Sequence, residues 1–479
     1  MRVTNNDRTL AEDSVRSLRA GGGLPTVAWV GGRVETVNFP GAYNEAMILR
    51  LPYGRGSVTA DLRGLHCHHL APEGPRHTLP AGLLADEALA RPVEGPALAE
   101  LARGARRVTV LVPDATRKAW LPEVLPVVLG HLARAGVRTD AITILVACGT
   151  HPAAGPGGLF ALLGPLPDGV RALQHDAREE SALVAVGALA TGEPVRLNRA
   201  AVEADVLVAV SAVQHHYFAG FGGGPKLVFP GVAGYAEIQA NHRKVIDLAS
   251  DPPRRHPACE PGVVAGNPVA EEIAATARLR PPEFALMLVA GPEGRAAWAG
   301  GGPLDTVWPR ACAKARDWFE VEAGPFARVV VSAGGFPTDH TLIQAHKALD
   351  AACRFAAPDA EVLFVASCDG GAGSEAMEPF LADPRASAIV ARLAREYVQY
   401  GHTTLRLVEK TGRFRVAAKT ELPAEVVARL GMRAEPDVGR VLDRWREEDP
   451  HGAVGLIAGP LVYPRRRDRR EAGRRKRGD

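Results

Sequence analysis

No run of about 18 apolar residues occurs in the 479-residue chain, which excludes a membrane-spanning helix of ordinary length. Met1 to Val15 lacks the apolar centre of a secretory signal, so the expected location is cytoplasmic. The six cysteines, Cys67, Cys148, Cys259, Cys312, Cys353 and Cys368, are scattered with no C-x-x-C pair. Neither a disulfide framework nor a zinc ribbon is indicated, and the thiols read as reduced and mostly buried. Strong charge is missing too. The formal net charge is +3, and Arg465 to Asp479 alone carries nine basic and three acidic residues, so the rest of the chain is slightly acidic. No basic core awaits nucleic acid; only the tail could touch RNA or anionic lipid, and it reads as a disordered, solvated end. There is no internal repeat and no long low-complexity linker.

What is present is an ordinary globular composition, 46% hydrophobic and 23% charged, in a chain too long for one core. Apolar, β-rich runs recur between helical stretches: Arg107 to Val112, Ala141 to Ala147, Asp205 to Ser211, Arg328 to Ser332 and Glu361 to Ala366. The alternation predicts an α/β fold of two domains, with parallel-rich sheets flanked by helices and an active-site cleft between them. Each run ends where a distinctive residue follows, placing Asp114, His151, His216, Gly334 and Cys368 just past a strand's C-terminal edge, where open α/β sheets bind ligands. Helices are predicted over Trp120 to Ala135, Tyr235 to Leu248 and Leu342 to Cys353. On the last, Gln344 and Lys347 share a face. His66-Cys67-His68-His69 has metal-like residue types, but neighbours on a strand point to opposite faces, so few of the four could share one ion.

The densest chemistry lies in Gln214 to His242, QHHYFAGFGGGPKLVFPGVAGYAEIQANH. Its glycines allow tight turns and close backbone approach to a ligand, and Lys226 stands at the loop's exit. Familiar phosphate loops do not fit. A Walker A loop needs Gly-Lys followed by Ser or Thr, whereas Pro225-Lys226-Leu227 stands here. A G-x-G-x-x-G fingerprint from Gly220 would need glycine at Pro225.

This stretch resembles the nickel-pincer-nucleotide lactate racemase family of 2-hydroxyacid racemases and epimerases. Five more segments resemble it in order: Leu51-Pro52-Tyr53-Gly54-Arg55-Gly56, Pro113-Asp114-Ala115-Thr116-Arg117, Ala147-Cys148-Gly149-Thr150-His151, Gly334-Gly335-Phe336-Pro337-Thr338-Asp339 and Gln344-Ala345-His346-Lys347. The likeness spans roughly residues 47 to 464.

The resemblance implies a racemase or epimerase that removes hydride from a 2-hydroxy acid to give a planar 2-keto acid and returns it on either face. The cofactor would be a nickel-pincer nucleotide, a pyridinium-3,5-bisthiocarboxylic acid mononucleotide with nickel, bound covalently to Lys226. His242 would ligate nickel, and His151 and His216 would be the two acid–base catalysts. Arg117 and Lys347 would hold the substrate carboxylate, Gln344 a substrate oxygen. Asp114 would orient a catalytic histidine or a cofactor group, with Gly222, Gly223 and Gly224 beside the cofactor. His215 reads as structural. Partners would be a small 2-hydroxy acid and the cofactor-synthesis and nickel-insertion proteins. Ile343 stands where lactate-specific members tend to have an aromatic residue, and the glycine loop lacks the Ser and Arg of some relatives, which leaves malate-like diacids and sugar acids open as substrates.

Two other readings share parts of this pattern: an α/β dehydrogenase using a soluble nicotinamide, and a non-catalytic binding protein whose tail contacts nucleic acid. The expected organisation is an N-terminal extension (1–46), an N-terminal α/β domain with the cofactor and catalytic histidines (47–315), a C-terminal α/β domain (320–445), a segment returning to the N-terminal domain (450–464) and the basic tail (465–479).

Overall fold

The computed structural model describes residues 29–30, 33–34, 48–76, 78–189 and 192–465. The expected N-terminal extension and basic tail therefore lie largely outside the described residues. A hairpin of β1 (Ile48–Tyr53) and β2 (Gly56–Asp61) is followed by a short strand, β3 (His66–His69). Helix α1 (Ala81–Ala90) precedes a first sheet. Its parallel strands are β4 (Val108–Pro113), β5 (Ile142–Ala147), β6 (Arg171–Gln174), β7 (Val206–Ala212) and β8 (Phe284–Ala290), with β9 (Ala296–Gly302) antiparallel at one edge. The order is β9-β8-β7-β4-β5-β6. The central strands read VTVLVP, ITILVA and VLVAVSA and are buried almost throughout, as strands covered on both faces must be.

Helices cover them. In α2 (Leu121–Arg134) the buried residues Leu121, Val124, Leu125, Val128 and Leu132 repeat at three- and four-residue steps and form one apolar stripe. Helix α3 (Tyr235–Arg243) is shorter than the predicted span to Leu248. Past it, Ile246 and Asp247 pair with Arg255 and Arg254 across a turn holding Pro252 and Pro253, so the β-branched end of that span becomes a ladder. Helix α4 (Leu304–Phe319) packs on β8 and β9.

The second sheet holds β10 (Phe326–Ser332), β11 (Ala356–Val365), β12 (Arg415–Lys419), β13 (Met432–Ala434) and β14 (Ala453–Ile457). Helices α5 (Leu342–Ala352), α6 (Gly401–Thr411) and α7 (Val438–Glu448) belong to this half of the chain. The order is β13-β12-β11-β10-β14-β3, all parallel.

That order corrects two expected boundaries. The segment 450–464 does not rejoin the first sheet through its strand, because β14 lies between β10 and β3. Conversely, β1 to β3 belong with the second sheet, where Leu51, Ala60, Leu62 and Leu65 share a core with Val330, Leu363, Trp445 and Leu456. The cause is burial: β14 is a short apolar strand that needs a neighbour on each side, and β3 supplies the outer one. Among the described residues, Tyr463 and Pro464 pair with Glu320 and Val321 at the end of α4, and Arg465 donates to the carbonyls of both. As for a metal at His66–His69, among the described residues no group of three or more His, Cys, Asp or Glu side chains is arranged to hold one. No described helix is long and apolar enough to cross a membrane.

Candidate active site

Strands β7, β4 and β5 are neighbours, so the loops leaving their C-terminal ends meet. The first carries His216, the second Asp114 and Arg117, the third His151. The carboxylate of Asp114 accepts from Thr116, backbone N at 3.0 Å and hydroxyl at 2.6 Å, and its other oxygen lies 2.5 Å from His151 Nδ1. Burial alone would raise the Asp114 pKa, but the bond to His151, its charge, Thr116 and the Arg117 guanidinium outweigh it and bring the value to about 2. A permanent carboxylate on Nδ1 keeps the proton there and leaves Nε2 of neutral His151 with a free lone pair.

His216 is in the opposite state. Its Nδ1 accepts the backbone N–H of Ala219 at 3.2 Å, so the neutral ring carries its proton on Nε2. Burial holds its pKa well below the ordinary value, and the charges of Lys226, Arg117, Lys347 and His242 push the same way. Three basic groups, Arg117 fully charged and the two lysines partly so near neutrality, therefore converge on one buried imidazole, an arrangement that costs free energy until an anion enters. His215, its neighbour, is 2.9 Å from Glu320 Oε1 and stacks on Tyr463 at 4.5 Å, as expected of a structural residue.

The second half of the chain delivers Gln344 and Lys347 on one face of α5, where Lys347 Nζ donates to Gln344 Oε1 at 2.5 Å. Burial, reinforced by Arg117, lowers Lys347 to about 7. Lys226 is lowered to about 7 by the same two causes. It faces the Phe218 ring at 5.6 Å and has no carboxylate partner among the described residues. His242, on α3, is lowered to about 3 by burial and by the Lys226 charge, and its buried Nδ1 has no hydrogen-bond partner. An orphaned imidazole nitrogen beside a neutral amine suits a metal-bearing electrophilic cofactor. All the polar site residues named from the sequence are thus assembled in one place.

The glycine loop makes close contacts within the protein. Gly223 and Gly224 have φ of +69° and +56°. A Cβ on Gly223 would lie 2.4 Å from the Ala212 carbonyl oxygen, and one on Gly224 would lie 2.1 Å from the Trp308 indole. The amides of Gly222 and Gly224 are already bonded to Gln214 O and Ser211 Oγ. The close approach these two glycines permit is to the protein itself, whereas Gly222 has only ordinary contacts.

Several residues escaped the sequence reading. Tyr217 and Phe218 pack against His216, and Phe218 also packs against His242. His402, from the second half, bonds Tyr217. Gln399 donates to Thr150 Oγ1 at 2.7 Å, directly before His151. His346 has a buried Nε2 without a partner. Tyr217, Phe218 and His346 sit inside the singled-out motifs; nothing local in the sequence marks Gln399 or His402.

Two family models match the chain: the lactate racemase N-terminal domain over residues 53–251 and the lactate racemase C-terminal domain over residues 321–400. Among curated proteins, a lactate racemase of Thermoanaerobacterium thermosaccharolyticum is 26% identical over 336 residues, covering 68% of this chain and 76% of the relative. One from Lactiplantibacillus plantarum is 28% identical over 300 residues, covering 62% and 69%. Among solved structures, the lactate racemase apoprotein of T. thermosaccharolyticum has a TM-score of 0.77 at 24% identity, with 88% of this chain and all of that chain covered. A Thermotoga maritima protein has a TM-score of 0.59 at 17% identity, with 80% and 97% covered. At these identities the two structures bear on the fold alone.

Proposed function

The chain belongs to the lactate racemase family of isomerases, and from that premise we propose that it inverts the hydroxyl-bearing carbon of lactate or a closely related 2-hydroxy acid. The observation that carries this reading is the complementary pair of histidines. His151 offers a lone pair on Nε2, backed by Asp114, while His216 presents an N–H on Nε2. A reaction that must handle the hydroxyl proton of either enantiomer needs two such groups.

The family implies a nickel-pincer nucleotide, and the residues present fit it. Lys226 would form the covalent link through its neutral amine, and His242 would give its unpartnered imidazole to nickel. When bound, the cofactor supplies the hydride acceptor and donor that this weakly acidic C–H bond requires. The rest is the work of the chain. Arg117 and Lys347 bind the substrate carboxylate, Arg117 with its planar fork. Gln344 bonds a substrate oxygen. His151 takes the hydroxyl proton of one enantiomer at Nε2, and Asp114 stabilises the imidazolium.

For the other enantiomer His216 must take a proton, which its burial and the neighbouring charges oppose. Burial is the larger cause of its low basicity and remains in function; the charges that add to it are met, because the link would hold Lys226 uncharged and the substrate carboxylate would offset Arg117 and Lys347. As isolated, His216 can donate from Nε2; to take the hydroxyl proton there it must first shift to the Nδ1–H tautomer, and its Nδ1 then gives up the Ala219 bond. Ile343, next to Gln344 in the chain, stands where lactate-specific members tend to have an aromatic residue, which leaves 2-hydroxy acids other than lactate open as substrates.

The test is co-expression with the cofactor-synthesis and nickel-insertion proteins, followed by intact mass and a chirality assay across lactate, malate and sugar acids. A cofactor-sized mass increment with racemisation of at least one 2-hydroxy acid is expected. Loaded, nickel-containing protein that racemises none of them would contradict the proposal.

A further inference from the structure

His402 occupies the start of α6, where Tyr400 precedes the helix with φ of +69° and Gly401 is so tightly packed that a Cβ would lie 2.6 Å from the Phe380 ring. The histidine is 3% exposed. Both of its ring nitrogens are used: Nδ1 is 2.7 Å from the Tyr397 hydroxyl and Nε2 is 2.9 Å from the Tyr217 hydroxyl. Tyr217 also meets Thr403 Oγ1 at 3.2 Å. A neutral imidazole donates from one nitrogen and accepts at the other, so the chain Tyr397, His402, Tyr217, Thr403 has a single direction of donation, fixed along its length.

The ring contacts of this chain lead into the site. His402 lies parallel to Tyr217 at 5.8 Å and edge-on to Phe218 at 4.9 Å. Tyr217 stacks on His216 at 5.1 Å. Phe218 meets His216 edge-on at 4.7 Å and His242 at 5.1 Å. Among the described residues the His216 ring has one hydrogen bond, accepted from the Ala219 N–H, and no side-chain hydrogen-bond partner fixes it. Its orientation therefore depends on two aromatic rings, one of which is fixed through its hydroxyl by His402.

We infer that His402 is a positioning residue that sets the His216 ring through the Tyr217 hydroxyl, so that the second half of the chain, when seated, aligns an acid–base group of the first. This rests on the racemase reading only for its kinetic consequence; the alignment itself is a property of the chain without cofactor.

The two nitrogens allow a discriminating test, because glutamine places its amide near Nε2 and asparagine near Nδ1. His402→Gln keeps the bond to Tyr217, His402→Asn keeps only that to Tyr397, and His402→Leu keeps neither. The probe is the ring 15N–1H spectrum of histidine-labelled protein as isolated, with the His216 signals identified through His216→Ala. Wild-type-like His216 signals are expected in His402→Gln, and displaced or broadened signals in His402→Asn and His402→Leu. In cofactor-loaded protein the same order should appear in kcat, down by about 10- to 100-fold for the last two, with KM little changed because His402 does not touch substrate. In a Tyr217→Phe background, His402→Leu should add little. Unchanged His216 signals in His402→Asn, or equal displacement in the Gln and Asn variants, would overturn the inference. If His402→Leu fails to fold, the Gln and Asn pair still decides. Loaded wild-type protein without racemase activity would count against the function and leave the spectra to judge the positioning.

Discussion

At the scale of single residues, Lys226 makes the sharpest prediction. Its amine is enclosed beside Arg117 and lowered to about 7, so the neutral, nucleophilic form is half populated near neutrality. Deprotonation rises with pH, so modification of Lys226 by a small amine-reactive reagent should climb between pH 6 and 8 and level off above, whereas surface lysines keep climbing toward their usual value of about 10.4. Peptide mapping after short exposures reads both in one sample. A Lys226 profile that overlays the surface lysines would contradict the enclosed neutral amine. A second expectation separates the histidines: His242→Ala should lose nickel from loaded protein to a far greater extent than His151→Ala, and metal analysis showing equal content would refute their division of labour. The side chains gathered at the candidate site were legible in the sequence because Lys, His and Arg stand in short motifs of fixed spacing. Their electrostatic states were not, since the lowered basicity of His216 comes from its burial in the assembled fold and, second, from the charges of residues 117, 226 and 347, on three separate segments.

At the scale of elements, each predicted strand formed within a few residues of its expected ends, except that β11 begins at Ala356, five before Glu361. Apolar runs buried on both faces carry a strong pattern. The glycine loop was harder to read. Positive φ and close contact look the same in sequence whether the neighbour is a ligand or the protein, and at Gly223 and Gly224 it is the protein. Gly223→Ala should thus destabilise the fold by about 2–4 kcal/mol, from left-handed strain and overpacking against a backbone carbonyl. Gly222→Ala, with negative φ and only contacts beyond 3.6 Å, should stay near wild type. Urea unfolding of the two variants gives the comparison, and equal midpoints would refute it. The Gly334–Asp339 motif likewise proves structural at its end: Asp339 is fully buried and accepts from the amides of Gly54 at 2.7 Å and Ser367 at 3.0 Å, tying the β1–β2 turn to the loop after β11.

At the scale of the molecule, the two sheets are joined by a buried ionic network. Arg406 and Asp350, each 1% exposed, pair at 2.8 Å in the second half, and Arg406 reaches Glu260 of the first at 3.2 Å. Arg354 also bonds Glu260, and Lys410 is 2.5 Å from Asp350. Removing one partner strands the others: Asp350→Ala leaves Arg406 and Lys410 short of their counter-charge and should cost about 3–5 kcal/mol. A change within 1 kcal/mol in urea unfolding would contradict this. Neither this network nor the placing of β3 and β14 in the second sheet could be read from sequence, because both depend on pairings between residues from tens to hundreds of positions apart, which local pattern does not encode.

The most direct test of the whole reading is the pair of variants His151→Ala and His216→Ala, loaded with cofactor and given each pure enantiomer of an active 2-hydroxy acid. Net inversion should fall by about 10²–10⁴ in both. In a single turnover, however, each variant should still oxidise one enantiomer to the keto acid, and the two should prefer opposite ones. Equal loss of oxidation with both enantiomers in both variants, at normal nickel content, would contradict the two-histidine site.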